Sequence, residues 1–146
     1  MRYTKGKWVA SYKDTFSVEQ TLNKIVLAHI TKLYECLKKS ECHGVPMYYM
    51  DIQARIEGVD WNEVDVDKAD EIRMKDLEEL IWTFSDNEPD ISDYDFHYDF
   101  GNDVPCGIQC SNEAESNRYA DDMKVWDERK KKGYKLFGDT YYDLSW

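Results

Sequence analysis

Glycine and proline are scarce in this chain, 7 and 3 in 146 residues. Nothing in it reads as a Gly-rich phosphate loop, a dinucleotide fingerprint or a nucleophile elbow. Serine, histidine and aspartate all occur, but no spacing links them as a catalytic set. No apolar run approaches the ~18 residues of a membrane-spanning helix, so no transmembrane segment is expected. The first residues, Met1 to Lys7, are basic, yet no apolar stretch follows them, and no secretory signal is expected. The four cysteines, Cys36, Cys42, Cys106 and Cys110, therefore read as reduced thiols of a cytoplasmic protein rather than as two disulfides. These absences favour a binding role over an enzyme, and they call for no cofactor.

What the chain has in quantity is aromatic residues and negative charge. Aromatics make up 14%, with 11 Tyr and 5 Trp, which argues for a packed core despite 34% charged residues. A chain of this length suits a single domain, 1–146, that buries its core without disulfide staples. The net charge is −11. Such a chain is repelled by free nucleic acid and by anionic membranes, so neither is expected as a direct partner. A basic protein surface or a cation is the natural partner.

The charge is regional. Residues 1–50 carry a net +4, residues 51–103 a net −14, and residues 104–146 a net −1. No lysine or arginine stands between Lys75 and Arg118. Even solubilisation does not account well for so local a pattern.

Periodicity predicts a mainly α protein: a three-helix, bundle-like domain with a small amount of β-strand at about residues 7–12 and 91–100. Lys7 to Tyr12 suits a short strand. Ser17 and Gln20 form a capping-box pattern ahead of a long apolar stripe: Val18, Leu22, Ile25, Val26, His29, Ile30, Leu33 and Leu37. His29 on that stripe reads as a packed core histidine. His43-Gly44-Val45-Pro46 stops the helix, with His43 in a turn or capping role. Met47 to Ile52 admits a short strand, and residues 58–67 read as an acidic loop feeding a helix N-terminus. A second helix is expected from about Ala69 to Phe84, with Met74, Leu77, Leu80, Ile81 and Phe84 inward and Asp76, Glu78 and Glu79 outward. Pro89 bars its continuation. A third spans about Asn112 to Tyr142, where Gly133 lets a neighbouring helix come close. An aromatic cluster of Tyr141, Tyr142, Leu144 and Trp146 closes the chain.

Residues 91–100 alternate with period two. Tyr94, Phe96, Tyr98 and Phe100 fall on one side; Asp93, Asp95, His97 and Asp99 fall on the other. On a strand, alternate carboxylates stand about 6.6–6.8 Å apart. With Asp86, Glu88, Asp90 and Asp103 they form an acidic candidate surface, anchored through its aromatic side. Carboxylates at the scale of nucleic-acid phosphates suit a basic groove meant for DNA or RNA. The competing reading is a solvated acidic face kept for solubility. Asp65, Asp67, Asp93, Asp95 and Asp99 also offer hard oxygens to Ca²⁺ or Mg²⁺, though an EF-hand's glycine and terminal glutamate are missing. Cys36, Cys42, Cys106, Cys110 and His43 admit a zinc site, but C-x₃-C is not the usual pair spacing and buried thiols are the plainer reading.

Two segments resemble a family of tailed-phage proteins of unassigned function. Asp14-Thr15-Phe16-Ser17 with Thr21-Leu22, a helix, then His43-Gly44-Val45-Pro46 and Asp51 is similar to D-T-W-S-x-x-x-T-L … H-G-x-P and an acidic residue. Gly133-Tyr134-Lys135-Leu136-Phe137-Gly138, Tyr141-Tyr142 and Leu144-Ser145-Trp146 resemble a G-x-x-L-F-G-K-Y-Y-x-x-L-W ending. Between them, residues 77–84 (LEELIWTF) are similar to a D-E-M-I-W-A-F helix. Phe16 replaces the usual Trp, Asp139 the usual Lys, and the acidic stretch from Asp86 to Asp103 has no counterpart. The resemblance implies a phage-encoded protein in the host cytoplasm and attaches no activity to it. The combined expectation is a phage accessory protein that binds a basic surface of a host or viral protein, in its sharp form as a nucleic-acid-mimicking inhibitor of host defence. The alternatives are a virion or assembly component working through an oligomeric interface, and a metal-dependent enzyme.

Overall fold

A computed structural model of the chain describes residues 2–4, 7–9, 18–39, 44–99 and 109–144. The protein is mainly α. Its described elements are a hairpin of β1 (Arg2–Thr4) and β2 (Lys7–Val9), α1 (Val18–Lys38), α2 (Met47–Glu57), α3 (Val66–Phe84), a two-residue pairing of β3 (Tyr98–Asp99) with β4 (Gln109–Cys110), and α4 (Glu113–Thr140). Chain contacts gather it into two compact units. The first is Met1–Ser85 with Gly133–Trp146; the second is Asp86–Lys132.

The core of the first unit follows from helical spacing. Leu77, Leu80 and Phe84 of α3 close on Ile30 of α1, with Val26, Leu33 and Leu37 packed around them. Each fully buried leucine contributes about 1.5–3 kcal/mol of apolar burial. Phe84 meets Phe137 edge-on at 5.0 Å and Tyr134 at 5.6 Å, which brings the end of α4 onto the same core. Gly133 makes that approach possible. A Cβ there would stand 1.8 Å from Thr83 Oγ1, so only glycine fits against α3.

The segment that admits a strand at Met47 to Ile52 is instead helix α2. Pro46 precedes its first turn, and Gly58 ends it in the left-handed region (φ 70°), its N–H bonded to the Ala54 carbonyl. Tyr49 and Gln53 are one turn apart and both buried. Tyr49 forms a second core with Val64 and Ala69. Four α-helices are therefore described rather than three. Packing of α2 also changes the reading of Asp76, which is half-buried beside Tyr49 instead of pointing to solvent. Burial, opposed by the Tyr49 hydroxyl, holds its carboxyl above the ordinary value. The acidic loop does feed α3: the Asp65 side chain accepts from the N–H groups of Asp67 (3.1 Å) and Lys68 (3.4 Å). Buried Arg73 ties α3 to the chain just before α2, donating to the Gly44 carbonyl at 2.8 Å and pairing with Asp70 at 2.7 Å.

His29 is exposed rather than packed in the core, with its Nδ1 2.8 Å from the Ile25 carbonyl oxygen. The apolar stripe of α1 is wider than the surface α3 covers. Val26, Ile30, Leu33 and Leu37 pack inward, whereas Leu22 and His29 lie on the uncovered flank. Of the expected strand at 7–12, Lys7–Val9 is strand, and 10–12 lie outside the described residues. Ser17, His43 and Trp146 also lie outside them.

Candidate partner-binding surface

The expected ten-residue strand at 91–100 does not form. Ile91–Asp93 is a single 3-10 turn, Phe96 N–H folds back onto the Tyr94 carbonyl at 3.0 Å, and of the described residues 91–99 only Tyr98 and Asp99 pair as strand. Two causes are visible. Asp90 prefers to bond its own backbone, and its carboxylate accepts the Ser92 N–H at 2.9 Å and caps the turn. The segment is also tied to α4 at both ends: Trp126 Nε1 donates to Asn87 Oδ1 at 3.0 Å, and the Tyr98 hydroxyl meets Ser116 Oγ at 2.8 Å. Residues 116 to 126 of a helix cover about 15 Å. Residues 87 to 98 fully extended would reach about 36 Å, so that segment must turn on itself.

The aromatic side of the alternation nonetheless comes together. Tyr94 and Phe96 pack on Tyr119 of α4, with centroids at 5.0 and 5.7 Å, and Phe96 meets Tyr98 at 5.4 Å. The Tyr94 hydroxyl donates to Asp122 at 2.7 Å, which raises the tyrosine's pKa. Arg118 lies over the Tyr94 ring at 4.7 Å while pairing with Glu115 at 2.8 Å. The sequence places Tyr119 and Trp126 on one face of α4 but does not say what they hold. The signal was their register: 119, 122 and 126 recur at i, i+3 and i+7, about two helical turns, opposite the aromatics of 94–98.

Of the candidate residues, Asp86, Glu88, Asp90, Asp93 and Asp95 are exposed. Among the described residues no lysine or arginine side chain forms an ion pair with any of them. Asp90 is partly committed as the cap, and its hydrogen bonds to Ser92 hold its carboxyl below the ordinary carboxylate value. Asp99 contributes its backbone to the pairing with Gln109. Asp103 lies outside the described residues. The segment therefore presents an uneven acidic ridge on an aromatic seat, not a straight row at strand spacing.

The other candidates divide between the two units. Asp65 and Asp67 belong to the first unit, and Asp93 and Asp95 to the second. Cys36 is buried in the first unit and Cys110 half-buried in the second; Cys42 and Cys106 lie outside the described residues. Among the described residues no three His, Cys, Asp or Glu side chains converge as a metal site. No described helix is long and apolar enough to cross a membrane. Comparison with known protein families, curated proteins and solved structures finds no match for the chain.

Proposed function

We propose that this protein acts by binding, and that its acidic segment takes a basic surface of a host or viral protein in place of nucleic acid. In this reading it is a phage accessory protein working in the host cytoplasm, and its target is a DNA- or RNA-binding protein of the defence machinery. The phage setting rests on the two family-like segments at the ends of the chain.

The observation that carries the reading is the density, on a fixed seat, of carboxylates that form no ion pair among the described residues. Glu88, Asp90, Asp93 and Asp95 lie between the ties at Asn87 and Tyr98, a stretch of α4 about 15 Å long. That is roughly one carboxylate per 4 Å, against one phosphate per ~3.4 Å along a DNA strand. Charge density, more than regular spacing, is what a groove of lysines and arginines attracts. The seat limits the entropy lost on binding, because Tyr94, Phe96 and Tyr98 already hold the segment.

Capture from host lysate tests it. The chain is expected to retain a basic nucleic-acid-binding protein at low salt, to release it at high salt, and to lose it to added DNA or RNA. The combined Glu88→Gln, Asp93→Asn, Asp95→Asn variant should retain little. Capture that ignores both salt and the triple substitution would sink the reading.

A further inference from the structure

A second surface, in the first unit, has the opposite character. Between α1 and the chain following Phe137 runs a groove of about 750 Å³, walled by Ile25, Leu33, Phe137 and Leu144. Its rim carries His29, Lys32 and Tyr142, the last 87% exposed, and among the described residues no carboxylate lines it. In a chain of net charge −11 that is unusual. The charge distribution explains it: α1 lies in the basic first third of the sequence, outside the acidic region. A groove with apolar walls and a lysine at its rim selects an apolar group flanked by carboxylates.

Such a group stands on the same unit. Trp61 is 56% exposed on the short 3-10 turn Trp61–Glu63 between α2 and α3. Ile56 and Val59 are exposed beside it in sequence, and Asp60 and Glu63 flank it. Neither Asp60 nor Glu63 has an ion-pair partner among the described residues. An indole projecting to solvent among apolar neighbours is the kind of side chain that anchors interfaces.

We propose that the groove takes the Trp61 turn of a second copy of this chain, with Asp60 and Glu63 meeting Lys32 across the contact. One molecule thus carries both halves of a complementary pair, and a rotation that closes the pairing yields a discrete oligomer. The inference is independent of the acidic segment at 86–95, because every residue it uses lies in the first unit.

Sedimentation analysis of the full chain over a range of concentrations tests it, with helix content by circular dichroism as the folding control. The wild type is expected to self-associate in a concentration-dependent way. Trp61→Ser should weaken that by about 30-fold or more, as loss of a central anchor does. Lys32→Glu alone and Asp60→Lys with Glu63→Lys should each weaken it, and mixing the two charge variants should restore association. A monomer at every concentration, self-association indifferent to Trp61→Ser, or a mixture that stays apart overturns the proposal.

Discussion

Gly133 and Asp90 are single positions at which the fold depends on one chemical feature. At Gly133 that feature is the missing Cβ, because α3 is already in its place. Gly133→Ala gains helix propensity, which would be worth up to about 1 kcal/mol on an open face. Here overpacking dominates, at a cost of about 1–3 kcal/mol or more. Chemical denaturation should show a lower midpoint, and Thr83→Ala added to it should recover part of the loss. An unchanged midpoint would mean that α3 and the end of α4 are not in contact at Thr83. At Asp90 the feature is a charged cap. Its folded-state pKa is lowered, so the stabilisation it gives is present above the ordinary value of 3.8 and is lost as pH falls through the depressed one. Carboxyl NMR should find Asp90 titrating below 3.8, with amide protection at Ser92 fading over the same range. Titration at or above the ordinary value would remove the cap from the account.

Among the elements, α1, α3 and α4 are legible from apolar spacing alone: α1 and α3 bury their stripes against each other, and α4 sets Tyr134 and Phe137 on Phe84 and Tyr119 on Tyr94 and Phe96. α2 is not. Its eleven residues have a weak stripe, and what makes them helical is tertiary: Tyr49 and Gln53 buried one turn apart, with Pro46 and left-handed Gly58 as bounds. The 91–100 segment shows the reverse failure. Period two is strong there, yet a strand needs a partner of its own length, and the pairing described is two residues long. The alternation still sorted Tyr94 and Phe96 onto Tyr119 and Asp93 and Asp95 to solvent, while Tyr98 is exposed and meets Phe96. The exposure of Asp86, Glu88, Asp90, Asp93 and Asp95 was thus readable from sequence, and their spacing was not. Tyr119→Ala should loosen this element selectively. Hydrogen exchange is expected to rise across 91–98 and to stay unchanged in α1 to α3; uniform protection throughout would show that the aromatic seat does not hold the segment.

At the scale of the whole molecule, the net charge of −11 resolves into surfaces of different character. An acidic ridge lies in the second unit, and a groove rimmed by His29 and Lys32 lies in the first. Binding through the ridge is the central claim, and it is electrostatic, so ionic strength is its most direct probe. The decisive measurement is the affinity for the captured partner as a function of salt, for the wild type and for the Glu88→Gln, Asp93→Asn, Asp95→Asn variant. The account predicts a steep fall in wild-type affinity with salt, and a variant at least about 10-fold weaker at low salt with a visibly shallower slope. Equal affinities and parallel slopes for the two proteins would contradict it.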